Sequence, residues 1–534
     1  MFRRNVTAAL ALIALAWPFL CHAASRPNIV LITMESVRAD RMHFLGAKTA
    51  LTPELDSVAG KSLVFENAFA QSPSTVSSDA TLLSGTYPQT HQVGESGTPL
   101  PAALPFLPDL LRAQGYRTAA FVSSIALDPR NGTAPGFDRG FSTYGASFHL
   151  PGTGRSGSIK RRGAEVAARA ASWLAGSSRQ PFFLWLSLAD ADGEQGNSYN
   201  PAVAAVDAAV GKLVTELRNR KLFDSTLIVI AAGHGESLGA HGEEGHGVFL
   251  YDETIHVPLL LKLPHSQSLA KHVKLRVSLV DVAPTILEIA GFAIPPQMQG
   301  RSLLRAAKGN PTDQPSYARS DFASRAFGLS LIESWRAGKY LYIRAPKPEL
   351  YDLAADPGAT RNLAQTSKAT LETMTSQLEA FDRHFTGQGG QATLSSSEIQ
   401  KLASLGYVGL QKPAAANAAS SGTDPKDEIS QVNRVLAAQD LWSRGAAEKA
   451  VALLQPVMAS ASNSYLAQFV MGAALSGHKQ FAAAIPFLRR AIELQPDSTS
   501  AHFEMGSALL NSGDAKTAVV HLEIVAHRMP EMAE

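Results

Sequence analysis

The sequence predicts an α/β domain built on a large sheet with helices on both faces, followed by an all-α repeat domain. Three observations predict it. From Ser25 to about Gly300, short apolar runs alternate with helical patterns. Those runs are continuously apolar, as strands buried on both faces of a sheet should be. Beyond Asp424 the chain instead repeats itself every 34 residues.

The chain starts with Arg3 and Arg4, an apolar run from Val6 to Leu20, and then the small residues Ala23, Ala24 and Ser25. That order predicts a cleaved secretory signal over residues 1–24 and a periplasmic or secreted protein. Cleavage removes Cys21, the only cysteine, so no thiol chemistry is expected of the mature chain. The bulky Leu20 argues against lipid anchoring at Cys21. The 48 basic and 46 acidic side chains leave a net charge of +2, which gives no electrostatic reason to expect nucleic acid as a partner. The basic triplet Lys160, Arg161 and Arg162 reads as a solvated loop or helix start.

Strands are expected at Asn28 to Thr33, Thr118 to Val122, Phe182 to Leu188, Leu227 to Ala231 and Val257 to Leu263. In open parallel sheets, ligands bind beyond the carboxyl ends of the strands. Acidic and imidazole side chains stand just past those ends here: Glu35 after the first, Asp190 and Asp192 after the third, Gly233-His234 after the fourth. Each carboxylate alone would pass for a helix cap; their recurrence marks a site. The segment Ala231-Ala232-Gly233-His234-Gly235-Glu236, followed by His241 and His246, resembles a metal-site turn with one ligand missing.

Several stretches resemble sulfatases of the alkaline phosphatase superfamily. They are Arg26-Pro27-Asn28-Ile29-Val30-Leu31-Ile32-Thr33-Met34-Glu35-Ser36-Val37-Arg38-Ala39-Asp40, residues 65–73, Leu82-Leu83-Ser84-Gly85, His234-Gly235-Glu236, Asp281-Val282-Ala283-Pro284-Thr285 and residues 349–358. The resemblance covers about Arg26 to Gly409. It implies an alkaline phosphatase-like large mixed sheet between helices over residues 25–310 and a small C-terminal subdomain over 311–410. It also implies hydrolysis or transfer of sulfate or phosphate esters, with a small anionic ester as substrate.

Sulfatases of this family make a formylglycine from Cys or Ser, but the aligned stretch here is Thr75-Val76-Ser77-Ser78-Asp79. Threonine cannot be oxidised to formylglycine. Thr75 matches instead the direct hydroxyl nucleophile of phosphatase-like relatives, and a bound cation is the physical means of activating it. Glu35 supports that branch, since phosphoethanolamine transferases and lipoteichoic acid synthases resemble this chain in pairing a Glu ligand with a Thr nucleophile. A divalent metal (zinc, manganese or calcium) is thus expected on Glu35, Thr75 and His234, with Asp190, Asp192 or Asp79 completing the shell. His246 is expected to assist the leaving group or contact the transferred one.

Three departures from the family pattern cluster here. Gly233 stands where an acidic ligand is expected, Asp79 where relatives carry Arg or His, and Asp190-Ala191-Asp192-Gly193-Glu194 replaces a pattern in which His follows Asp-Pro. They leave two function classes: a metal-dependent ester hydrolase or phosphotransferase with an incomplete metal site, or an inactive scaffold. If 233 is the missing ligand position, Gly233→Asp should raise metal affinity or activity.

Residues 411–425 offer little to bury and read as a linker. Over 426–534, Ala450, Ala484 and Ala518 recur in register, as do Leu454, Leu488 and Leu522, Gly472 and Gly506, and Pro496 and Pro530. The pattern resembles tetratricopeptide repeats, which implies stacked helical hairpins and a protein partner.

Overall fold

The computed structural model describes residues 26–49, 51–94, 98–129, 134–146, 148, 160–176, 180–266, 270–307, 313–386, 422–496 and 498–528. The signal segment 1–24 with Cys21, linker residues 411–421 and Pro530 lie outside the described residues.

Strands β1 (Asn28–Met34), β2 (Leu63–Phe69), β3 (Arg117–Val122), β4 (Thr143–Gly145), β5 (Phe182–Leu188), β6 (Thr226–Ala232), β7 (His256–Lys262) and β8 (Lys271–Ser278) form an eight-stranded sheet in the order β4-β3-β5-β1-β6-β7-β2-β8. From β4 to β6 all neighbours are parallel, while β7 runs antiparallel to both β6 and β2, and β2 pairs parallel with β8. The sheet is therefore mixed. Every residue of β5 and β6 is buried, because helices cover both faces and the sequences FFLWLSL and TLIVIAA have no solvent-compatible side.

The five expected strands are all present. Three more lack the continuous apolar pattern, each for a physical reason. β2 carries Glu66 and Asn67 at a bulge, where the register slips. β8 is an edge strand that alternates exposed Lys271, His272 and Lys274 with buried Val273 and Val277. β4 has only three residues.

A second, antiparallel sheet in the order β12-β11-β10-β9 is made of β9 (Ser316–Ser320), β10 (Ile332–Ala337), β11 (Tyr340–Arg344) and β12 (Glu349–Asp352). Tyr317, Trp335, Tyr342 and Leu350 pack there against Met374, Leu378 and Phe381 of the helix Lys368–Thr386.

The C-terminal helices are Ile429–Ser443, Ala447–Leu454, Tyr465–Gly477, Phe481–Leu494, Thr499–Asn511 and Ala515–Arg528. Tyr465 and Thr499 start equivalent helices 34 residues apart, as do Phe481 and Ala515. These helices dock on the α/β region: Gln495 Nε2 donates to the Arg325 carbonyl at 2.8 Å and Ser464 Oγ to that of Ala326 at 3.2 Å. Asn433 donates to the Gly242 carbonyl at 2.7 Å and accepts from the Glu244 amide at 3.2 Å, in the loop that leads to His246. No helix among the described residues is long and apolar enough to cross a membrane.

Candidate active site

Pairing aligns the strand ends that carry the site. Met34 pairs with both Leu188 and Ala232. One residue on, the Glu35 amide donates to the Leu188 carbonyl at 2.8 Å and the Gly233 amide to the Met34 carbonyl at 2.9 Å. Glu35, Ala189 and Gly233 thus stand level at the carboxyl edge. β2 runs the same way, and the buried segment after it delivers Thr75 to that edge as the first residue of the helix Thr75–Ser84. The Ser78 hydroxyl ties this helix to the sheet by donating to the Gly233 carbonyl.

The inner site is sealed: Glu35, Asp79 and His234 are fully buried and Thr75 is 5% exposed. His234 Nδ1 lies 2.8 Å from the Gly235 carbonyl, and a carbonyl only accepts, so Nδ1 carries the hydrogen. The lone pair of Nε2 then faces Thr75 Oγ1 at 3.1 Å and Glu35 Oε2 at 3.6 Å. Burial, helped by the neighbouring His246, pushes His234 down to about 3, so it is neutral at physiological pH. Glu35 Oε1 accepts from the Ser187 hydroxyl at 3.2 Å, while Oε2 has no hydrogen-bond partner among the described residues. Burial and then the Asp192 charge push Glu35 up to about 7. Asp79 lies beside it, pushed well above the ordinary carboxylate range by burial and then by the Glu35 charge, with hydrogen bonding from Thr33 working the other way.

The Thr75 hydroxyl donates to the nitrogen lone pair, which leaves Glu35 Oε2 as the atom that, in this dry space, calls for a proton or a cation. That donor set fits a divalent metal, with the imidazole suiting zinc or manganese and the oxygens suiting calcium or magnesium as well.

The outer rim is a second constellation. His246 Nδ1 donates to Glu236 Oε2 at 3.0 Å, and its Nε2 lies 3.7 Å from Asp192 Oδ1. The His246 and His234 rings sit 4.3 Å apart between centroids. Lys160 Nζ pairs with Asp192 at 3.0 Å; burial opposes the Asp192 charge, but Lys160 and His246 outweigh it and hold this carboxyl below its usual range. Ser36, at φ 58, lies in the left-handed region that disfavours non-glycine residues. Its carbonyl accepts from the Tyr199 hydroxyl at 2.7 Å, and its own hydroxyl lies 3.4 Å from both Asp192 and His246. Asp192, Glu236 and His246 each place one donor atom within 4.8 Å of the others.

The fold brings together Glu35, Thr75, His234 and His246, and leaves Asp190 out. Both Asp190 oxygens accept the Gly163 amide, at 3.0 and 2.9 Å, so its carboxylate caps the helix Gly163–Ala175 and is not available as a ligand. Lys160 precedes the helix Gly163–Ala175 with a partly exposed side chain, as expected of a helix start, and it also pairs with Asp192 at the rim. Asp79 does not face an incoming substrate but lies buried beside Glu35. His241 stacks on Tyr251 with ring centroids 3.6 Å apart. Glu236 and Ser36 belong to the site although nothing in the sequence singles them out; the only signal is their place inside motifs marked by their neighbours. Position 233 also differs from expectation. A Cβ there would lie 2.8 Å from Glu35 Oε2, so an Asp fits only if the end of the Glu35 side chain shifts.

Residues 27–292 match the sulfatase family profile, and residues 242–384 match that of the N-sulphoglucosamine sulphohydrolase C-terminal domain. Arylsulfatase K of Mus musculus is 29% identical over 177 residues, covering 31% of this chain and 32% of that protein. Arylsulfatase K of Bos taurus is 24% identical over 438 residues, covering 65% and 79%. The ulvan-active sulfatase of Formosa agariphila is 24% identical over 412 residues, covering 67% and 80%. The match to the mouse and Xenopus laevis proteins spans only about a third of their length, 32% and 36%. Among solved structures, the phosphonate monoester hydrolase of Agrobacterium radiobacter superposes with a TM-score of 0.55 at 22% identity over 67% of this chain and 96% of that one. A protein in complex with its substrate D-glucosamine-2-N,6-O-disulfate superposes with a TM-score of 0.58 at 17% identity, over 69% and 99%. At those identities the likeness is one of fold.

Proposed function

Because the chain is a sulfatase-like protein of the alkaline phosphatase superfamily, we propose that it is a cation-dependent hydrolase of monoanionic tetrahedral esters with Thr75 as nucleophile. A sulfate monoester, a phosphodiester and a phosphonate monoester are the classes meant. The observation that carries the reading is the Thr75 hydroxyl, 3.1 Å from the His234 Nε2 lone pair at the start of a helix.

Charge selects the class. Glu35, Asp79, Asp192 and Glu236 surround the site, against Lys160 and the Arg38 guanidinium that donates to the Glu236 carbonyl. Even with one dication added, a second negative charge on the substrate would meet uncompensated carboxylates in a site of low dielectric. A monoanion avoids that.

A divalent cation held by Glu35, Thr75 and His234 would lower the hydroxyl pKa and offset charge on the ester. The chain's own groups do the rest. The His234 lone pair aligns the Thr75 hydroxyl in the free site and would be a ligand once the cation is bound, so the hydroxyl proton would pass to water as Thr75 becomes the nucleophile. Thr75 Oγ1 forms a bond to the central phosphorus or sulfur as the bond to the leaving oxygen breaks. His246, aimed by Glu236, gives that oxygen a proton when it carries one on Nε2. Water then releases Thr75, or an acceptor alcohol does in a transferase cycle.

The test is turnover of an aryl sulfate, an aryl phosphodiester and an aryl phosphate monoester by the full chain with zinc, manganese, calcium or magnesium. Either monoanion should be cleaved faster than the dianionic monoester, Thr75→Ser should retain activity and Thr75→Ala should lose it. Equal rates for Thr75→Ala and the native chain would defeat the proposal. The near-complete burial of Thr75 favours one competitor, a scaffold without catalysis, for which no cation or ester combination gives turnover.

The C-terminal helical pairs are best read as tetratricopeptide-type repeats offering a groove to a protein partner. The 34-residue offset, with Gly472 and Gly506 each facing a leucine of the paired helix, supports it. With the N-terminal signal pattern, the setting is periplasmic or secreted.

A further inference from the structure

We propose that the C-terminal helical domain completes the active site, with Asn433 as a positioning residue that clamps the turn carrying His246. The inference rests on the reading of His246 as the acid for the leaving oxygen, and it gives that domain a role within its own chain.

His246 takes its place from the fold of the stretch around it. Leu238 and His241 lie at φ 55 and 53, in the left-handed region that disfavours non-glycine residues, so this turn needs holding. It folds on itself through the Ser237 amide on the Gly245 carbonyl and the Gly239 amide on the Glu243 carbonyl, both at 2.9 Å. The buried Glu243 carboxylate then accepts the amides of Val248 at 2.8 Å and Phe249 at 3.1 Å, the pair that follows His246-Gly247. Glu236 aims the His246 ring, but only once the backbone brings the ring to it. Where Glu243 sits therefore decides where His246 stands.

Asn433 fixes Glu243 from outside. Its side-chain amide spans that residue, donating to the Gly242 carbonyl at 2.7 Å and accepting from the Glu244 amide at 3.2 Å. One donor and one acceptor are all that a neighbouring peptide group would offer there, and the Asn side chain supplies both. Ile429, one turn earlier on the same helix face, covers the same turn: a Cβ on Gly242 would lie 3.4 Å from its Cγ2. The domain also reaches the other side of His246. Ser464 and Gln495 hold carbonyls of the helix Phe322–Phe327, and the Phe322 ring would lie 3.1 Å from a Cβ on Gly247. Bonds at 242 and 244 and packing at 247 thus bracket the imidazole. Because Ser464, Gln495 and the Asp424 carboxylate that accepts the Lys347 amide dock the domain independently, losing Asn433 loosens the turn without releasing the helices.

The experiment compares the full native chain with Asn433→Ala and with Asn433→Leu, which keeps the volume but offers no donor or acceptor. Each is assayed at saturating cation on a nitrophenyl ester, whose leaving group departs without a proton, and on the corresponding phenyl ester, whose leaving group needs one. In both variants kcat/KM on the phenyl ester should fall about tenfold to a hundredfold, while on the nitrophenyl ester it stays within about threefold. Hydrogen exchange over residues 238–249 should quicken, with residues 28–34 of the sheet unchanged. Equal losses on the two esters, rates within about threefold of native on both, or exchange over 238–249 that does not quicken each overturns the assignment and leaves the cation-dependent reading standing. A native chain that cleaves no ester with any cation overturns that reading, and the role of Asn433 with it.

Discussion

Gly472 offers the sharpest check on why the C-terminal helices pack as they do. It lies in the helix Tyr465–Gly477 against the helix Phe481–Leu494. An alanine Cβ there would fall 2.5 Å from Leu488 Cγ, 2.8 Å from its Cδ2 and 3.2 Å from its backbone nitrogen. Carbon atoms rest at about 3.5 to 4.0 Å, so the overlap is about 1 Å. Leu488 is fully buried and the nearby nitrogen is backbone, so the helices must part or the leucine must leave its rotamer. Overpacking of this kind costs about 1 to 3 kcal/mol. Against it stands the helix propensity that alanine gains over glycine, about 0.8 to 1.0 kcal/mol. The difference is a destabilisation of roughly 0 to 2 kcal/mol, and the confinement of Leu488 places Gly472→Ala toward its upper end. Gly506 is the equivalent position, but its nearest atoms, at 2.7 Å, are the Cγ and Cδ2 of Leu522, a half-buried side chain of the last helix. Leu522 can move aside, so Gly506→Ala should be close to neutral. Hydrogen exchange over residues 466–494 and 500–527 of the full chain reads each pair locally, without assuming two-state unfolding of a chain with several parts. If Gly472→Ala leaves protection unchanged or increases it, close helix approach is not what the glycine is for. Equal loss at both positions would also refute the reasoning, since it would mean that Leu522 is as confined as Leu488.

Glu236→Gln keeps the volume beside His246 but removes the carboxylate that holds Nδ1–H at 3.0 Å; kcat on an aryl ester should fall about tenfold to a hundredfold while KM moves little, and a change in KM alone would count against a positioning role. Asp207 accepts the amides of Glu54 at 3.1 Å and Leu55 at 2.8 Å at the start of the helix Pro53–Ala59, and burial pushes it up to about 6 from an ordinary 3.8. The folded value lies above the unfolded one, so its stabilising contribution is complete below about pH 4 and lost as pH rises through about 6. Measured as Tm from pH 4 to 7.5, Asp207→Asn should gain on the native chain as pH rises; a difference that does not vary with pH would contradict the shift.

The parts of this fold legible in sequence are those where one local pattern decides the outcome. Continuous apolar runs mark β1, β3, β5, β6 and β7, because a strand with both faces covered has no position for a polar side chain. The same rule hides β2 and β8. A bulge admits Glu66 and Asn67 in one, and an open edge admits Lys271, His272 and Lys274 in the other. Within the site, Glu35, Thr75 and His234 are legible as residues that follow strands or start a helix at one sheet edge, and His246 only through its spacing after His234. What each does with its hydrogen-bonding capacity is not. Asp190 and Asp192 are two residues apart and equally acidic, yet one caps a helix through Gly163 while the other meets Lys160 and His246. Only the turn between them decides which way each carboxylate faces.

Position 233 shows why a missing ligand is a poor guide when read one position at a time. In sequence, Gly233 is a loss and Asp79 a misplaced charge, two defects 154 residues apart. In space they share Glu35. The longer glutamate arm reaches the volume that a side chain at 233 would occupy, and its carboxyl interacts with that of Asp79. A side chain at 233 would have to push the end of that arm aside. Restoring an aspartate at 233 on its own should then damage the site, and it should help only in a chain where position 35 is shortened as well.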